Sequence, residues 1–207
     1  MSRNKPGRVR IIGGRWRGRR LPVVDLPGLR PSGDRSRETL FNWLQADIRG
    51  ARCVDLFAGT GVLGFEAASR GARRVVLVEQ AARAVQAIEA NLATLTAGDP
   101  PAPSVGDDGI SVVRGDALRW LAACAPAGLD IAFVDPPFGS GLAERALALL
   151  ADGDCLAPGG LVYLETARQA TTDVAPEWRV VRDKALGEVR MRLLERPVEP
   201  SEPGHLG

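Results

Sequence analysis

Two short stretches of the chain combine residue types suited to group transfer. The first is Asp135-Pro136-Pro137-Phe138, which closes an apolar run. An exocyclic amino group on a nucleobase is a poor nucleophile, because its lone pair is delocalised into the ring. If the Asp135 carboxylate and the Pro136 carbonyl each accept one of its N–H bonds, the nitrogen can pyramidalise and aim that lone pair at an electrophilic methyl. The prolines hold the carbonyl rigidly and add no competing donor. Pro137 and Phe138 then face the base, and stacking on Phe138 is worth on the order of 1–3 kcal/mol. The attached proton becomes strongly acidic only after transfer, so no strong base is required. This agrees with a chain whose one histidine is His205.

The second stretch is Asp55-Leu56-Phe57-Ala58-Gly59-Thr60-Gly61-Val62-Leu63-Gly64, which leaves a strand-like run and enters a helix-like one. Its glycines let a ligand approach backbone N–H groups at a helix N-terminus, although alone such a motif serves a tight structural turn equally well. Glu79 ends the next apolar run twenty residues after Gly59. An acidic side chain there can accept both hydroxyl protons of a ribose. That arrangement fits NAD and S-adenosylmethionine alike. Two features favour the sulfonium compound. Asp55 would sit beside its cationic amino-acid end, whereas against a pyrophosphate a carboxylate is repulsive. Gly115-Asp116-Ala117 follows the third strand, placed to contact an adenine amino group, and Asp116 equally suits a helix N-cap. The candidate cofactor residues are Asp55, Phe57, Gly59, Gly61, Gly64, Glu79, Asp116 and Ala117.

The elements that must position these groups alternate. Apolar runs at 53–57, 75–78, 110–113, 130–134 and 160–165 read as strands buried on both faces of a parallel sheet. Helical spacing fills 62–70, 85–95, 117–123 and 142–150 between them. The result is an open α/β sheet with helices on both faces, whose strands present ligand sites at their carboxyl ends. Segments 178–182 and 189–194 are separated only by 183–188, too few residues for a crossover helix, so they pair as an antiparallel hairpin at the sheet edge. Upstream, residues 8–24 read as a small β-hairpin, and Leu40, Phe41, Leu44 and Ile48 mark one face of a helix that Asp34 or Ser36 could cap. The chain thus divides into an extension (1–33), a main domain (34–196) and a tail (197–207) expected to be disordered. The polar stretch 98–109 is expected to be mobile.

The formal charge of +2 hides an asymmetry. Residues 1–37 hold eleven Lys/Arg against Asp25 and Asp34, a local balance of +9, while the remainder sums to −7. Because arginine alternates with aliphatic and aromatic residues, this arm is expected to fold and to present charge to phosphates. Arg10, Arg15, Arg17 and Arg19 are candidate substrate contacts. Arg35 and Arg37 could reach a phosphate or the cofactor carboxylate, and Trp16 offers either a stacking ring or a hydrophobic anchor. Cys53, Cys124 and Cys155, with a single histidine, argue against a disulfide framework, a Cys/His zinc site or a histidine triad. Neither a membrane-spanning run nor a secretory signal is legible, so a cytoplasmic monomer without metal is expected.

Taken together, Asp55 through Gly64, Glu79, Asp116 and the DPPF tetrapeptide resemble class I S-adenosylmethionine-dependent methyltransferases that modify amino groups. The N-terminal residues resemble something narrower. Arg10-Ile11-Ile12-Gly13-Gly14-Arg15-Trp16-Arg17-Gly18-Arg19, Gly28-Leu29-Arg30-Pro31 and 34–43 look like the RsmD family of bacterial small-subunit rRNA guanine-N2 methyltransferases. The likeness covers roughly residues 8–196, and 98–109 is longer than that family suggests. The resemblance implies a Rossmann-like, seven-stranded, mostly parallel sheet with a C-terminal antiparallel hairpin and a small N-terminal hairpin and helix extension. It also implies methylation of one guanine in 16S rRNA on a partly assembled small subunit. The residues alone reach only amino-group methylation on a nucleic acid. A DNA adenine or cytosine methyltransferase, an RNA-binding assembly factor and an NAD-dependent dehydrogenase are the rival readings.

Overall fold

The computed structural model describes residues 7–24, 26, 32–97, 108–170 and 174–196. Most of the 98–109 stretch, the Gly28-to-Pro31 motif and the tail from 197 onward lie outside them. In chain order the elements are β1 (Arg8–Arg10), β2 (Arg20–Pro22), α1 (Asp34–Trp43), β3 (Arg52–Asp55), α2 (Val62–Ser69), β4 (Arg74–Glu79) and α3 (Ala82–Thr96). Then come β5 (Gly109–Arg114), α4 (Ala117–Ala122), β6 (Leu129–Val134), α5 (Leu142–Asp152), β7 (Leu156–Ala167), β8 (Arg179–Leu186) and β9 (Val189–Glu195).

Seven strands form one sheet in the order β5-β4-β3-β6-β7-β9-β8. The first five run parallel, and β9 pairs antiparallel with both β7 and β8. This is the Rossmann-like class I methyltransferase fold. Chain order reverses between β3 and β6, which opens a crevice beyond their carboxyl ends.

The continuous apolar strands follow from burial on both faces. Cys53, Val75, Leu77, Ile131, Phe133 and Tyr163 enter one hydrophobic core, whereas Val54, Val76, Val78, Ala132, Val134, Val162 and Leu164 enter the other. The strand period of two divides each run between them. Helices α4 and α5 and Trp178 cover the second face. On the first face lie α1, α2 and α3, and Val9, Ile11, Trp16 and Leu21 of the N-terminal hairpin join the same core.

Helix α2 has no solvent face, since all its residues are buried. The loop between β1 and β2 lies across it: Ile12 and Gly13 N–H groups donate to Glu66, and Arg15 N–H donates to the Ser69 carbonyl at 2.8 Å. Glycine is required at position 14, where φ is +75° and a Cβ would lie 1.9 Å from the Ser69 carbonyl oxygen.

Some expectations change. Helix α1 starts at Gly33 as N-cap, so neither Asp34 nor Ser36 caps it. The Asp34 carboxylate is taken by Arg10 and Arg37 instead. The C-terminal hairpin strands extend to Leu186 and from Val189, leaving only Gly187 and Glu188 as the turn. Gly187, with φ +59°, permits this two-residue connection. Among the described residues no helix is long and apolar enough to cross a membrane, and no group of His, Cys, Asp or Glu is placed to hold a metal ion.

Candidate active site

Four parallel strands deliver the candidate groups to one edge. Asp55 ends β3, Glu79 ends β4, Asp116 follows β5 and Asp135 follows β6. The loop leaving β3 turns through Gly59 (φ +54°) and Gly61 (φ +76°), the left-handed residue that begins α2. Glu79 braces this loop, with its two oxygens accepting from Gly59 N–H at 2.8 Å and Ala81 N–H at 2.7 Å. Each oxygen keeps a second lone pair for a ribose hydroxyl. Gly64 lets α2 press onto β4, since a Cβ there would stand 2.3 Å from Leu77 Cδ2.

Asp55 is 1% exposed beneath the loop and accepts from Gly64 N–H at 3.2 Å. It therefore meets a ligand on the loop through its field rather than with open oxygens. Burial pushes its carboxyl up to about 7, the Gly64 hydrogen bond opposes this, and Glu79 adds to it. A cation lodged above would draw it back to the charged form. Phe57 packs half-buried against the second core, and Ala117 is buried at the start of α4. Asp116 is the N-cap of α4, accepting from Arg119 N–H at 2.9 Å, which leaves its other oxygen for an adenine amino group. These residues fit S-adenosylmethionine.

Past β6, Pro136 is buried, Pro137 is exposed and the Phe138 ring is 53% exposed. That ring is thus open for a flat partner to stack on. Pro136, Pro137 and Phe138 line an open cleft of about 250 Å³ together with Gly139, Ser140, Glu165 and Thr166, and Asp135 stands next to them in the chain. Asp135 accepts a hydrogen bond from the Ser32 hydroxyl at 2.9 Å. Burial holds its carboxyl well above the usual range, with Glu165 and Asp55 adding repulsion and Ser32 opposing them.

Glu165 and Ser32 were not among the residues singled out by motif. Glu165 lies near the carboxyl end of β7, is buried, faces Asp135 and accepts from the Tyr163 hydroxyl. Its place at the carboxyl end of a strand next to β6 was a signal available in the sequence. Ser32 carried none, because its contact spans 103 residues.

The basic arm divides. Arg17 and Arg35 are exposed, as are Arg15 and Arg19, the former stacked over the Trp16 ring and the latter donating to the Leu95 carbonyl at 2.8 Å. Arg10 is exposed and paired with Asp34. Two expectations are corrected. Trp16 is 3% exposed and anchors the hairpin in the core, so its ring offers no face to a base. The Arg37 side chain is fully buried against Glu66 at 2.6 Å, where no phosphate reaches it.

A family model described as conserved hypothetical protein 95 matches residues 9–195. Ribosomal RNA small subunit methyltransferase D of Escherichia coli (strain K12) is 44% identical over 194 residues, covering 93% of this chain and 92% of its own. The chain belongs to the RsmD family. Another RsmD, from Haemophilus influenzae, is 38% identical across 93% of this chain and 96% of its own. The solved structure of a putative methyltransferase from Escherichia coli is 42% identical, covers 93% of this chain and 100% of its own, and superposes with a TM-score of 0.79. An RNA methyltransferase from Salinibacter ruber, solved in complex with S-adenosyl-L-homocysteine, shares the fold at 18% identity and a TM-score of 0.58, over 84% of this chain and 97% of its own. RsmD membership thus spans the hairpin, the glycine loop and the DPPF edge together.

Proposed function

We propose that the chain transfers a methyl group from S-adenosylmethionine to the exocyclic N2 of one guanine in small-subunit ribosomal RNA, acting in the cytoplasm on a partly assembled subunit. The observation that carries this reading is the DPPF edge, with an exposed Phe138 ring beside the half-buried Asp135. When bound, the cofactor supplies an electrophilic methyl on a sulfonium sulfur. Glu79 and Asp116 orient it from the ends of β4 and β5, with the Asp55 field favouring its cationic amino-acid end. Phe138 stacks on a base turned out of its helix. The Asp135 carboxylate and Pro136 carbonyl accept the two amino hydrogens, which aims the nitrogen lone pair for in-line attack. Positioning is then the main contribution. Comparing digested rRNA from cells with and without this protein by mass spectrometry should show loss of N2-methylguanosine only. Loss of a methylated adenine or cytosine instead, or no change, overturns the reading.

The extension over 1–33 acts as the RNA-binding surface of the catalytic domain at 34–196. The local charge of +9 over residues 1–37 suits phosphates rather than a small metabolite. Replacing Arg15, Arg17 and Arg19 by Gln should weaken RNA binding and flatten its salt dependence by about one unit of slope per lost phosphate contact. Filter binding at several salt concentrations checks this, and an unchanged slope removes the arm from the interface.

A further inference from the structure

Asp135 has a partner from the far end of the chain. The Ser32 hydroxyl donates to its Oδ2 at 2.9 Å, and among the described residues this is the one hydrogen bond its side chain receives. Ser32 is itself held, because its carbonyl accepts from Arg37 Nε at 3.1 Å. Arg37 is fixed in turn by Glu66 and Asp34, each at 2.6 Å. The hydroxyl is therefore held just ahead of the Gly33 N-cap of α1, as the carboxylate is held just past the end of β6.

The other groups facing Asp135 are acidic. Glu165 and the Tyr163 hydroxyl come from β7, and Asp55 comes from β3. Burial, Glu165 and Asp55 all favour the protonated acid, and Ser32 alone among these opposes them. A protonated Asp135 would offer the incoming amine a donor where an acceptor is needed. A carboxylate free to rotate would also spread its lone pairs over directions that do not meet the nitrogen.

The geometry points to Ser32 as the positioning residue that keeps Asp135 ionised and turned, so that Oδ1 takes an N–H of the target amino group. This rests on the reading of Asp135 as the acceptor. Ser32 acts through that carboxylate. The contact also joins the segment leading into α1 to the reacting edge.

The test is the pH dependence of kcat/KM for methyl transfer to small-subunit RNA, measured for the wild type, Ser32→Ala, Ser32→Thr and Asp135→Asn. Ser32 is half-buried in a loop, so loss of one oxygen leaves the fold intact, and a melting curve for each variant verifies this. Activity rises with pH as Asp135 ionises. Losing a hydrogen bond to a charged group should move that acid limb upward by about one to two pH units, roughly a ten- to hundredfold loss at a pH below it, while the rate above the limb recovers. Ser32→Thr, which restores a hydroxyl, should return the limb toward its original position. An unmoved limb in Ser32→Ala, or a loss of the same factor at every pH, overturns the inference. Asp135→Asn separates the two readings. If it abolishes transfer while the Ser32→Ala limb stays in place, only the role of Ser32 fails. If it transfers methyl at the wild-type rate, the assignment of Asp135 fails first.

Discussion

Asp135→Ala abolishes methyl transfer while leaving cofactor affinity near the wild-type value. The expectation follows from where the carboxylate stands. Asp135 lies beyond β6, next to the Pro136 that lines the cleft, whereas the loop of Gly59 and Gly61 and the brace of Glu79 belong to β3 and β4. Removing it takes away one of the two acceptors that pull the amino hydrogens out of the ring plane. The nitrogen then keeps its lone pair in conjugation. By analogy with loss of one preorganised hydrogen-bonding group at a reacting centre, the cost in kcat is at least about a hundredfold. The same change removes a buried acid that sits beside Glu165 and Asp55, so the folded state is not weakened by lost repulsion. Single-turnover transfer and calorimetry with S-adenosyl-L-homocysteine read the two quantities separately. Turnover within tenfold of the wild type shows that the amine is not held there.

The sheet was legible because burial on both faces turns each parallel strand into an unbroken apolar run, as in 75–78 and 131–134. The glycine loop ahead of α2 was legible because glycines and a terminal carboxylate occur together at the end of β3. Helix α2 was read by spacing alone, although its periodicity is weakened by a second layer: the loop after β1 covers the side that would otherwise face water. Arg37 was read as a surface group because arginine-rich segments are mostly solvated, and Trp16 was left between a stacking ring and an anchor. In the fold, Trp16 fills the seam between hairpin and domain, and Arg37 meets a carboxylate that has no exposure either. Ser32 depends on proximity across 103 residues of chain, which no local pattern records. The tight turn at Gly187 and Glu188 was placed too wide because Asp183 and Lys184 look like loop residues. Their strand is at the sheet edge, where charged side chains remain in water.

The buried pair of Arg37 and Glu66 yields the largest expected effect on stability. Both side chains are fully buried, and their closest oxygen and nitrogen lie 2.6 Å apart. Glu66 also accepts from the Ile12 N–H at 2.6 Å, the Gly13 N–H at 3.3 Å and Arg70 Nε at 3.3 Å. Arg37 donates in addition to the Arg10 carbonyl at 2.9 Å. One carboxylate thus fastens the N-terminal hairpin to α2, and one guanidinium fastens it to α1. Breaking such a pair strands the remaining charge in a medium that solvates it poorly. Glu66→Leu or Arg37→Met should each cost about 3–5 kcal/mol. For a chain of this size that lowers Tm by about 6–20 °C. Replacing both together, Arg37→Met with Glu66→Leu, should cost less than the sum of the single changes, because no orphaned charge is left behind. Thermal melts of the four proteins measure the coupling directly. Strict additivity would mean that the two groups do not sense each other, and that the arm is held by Val9, Ile11, Trp16 and Leu21 alone.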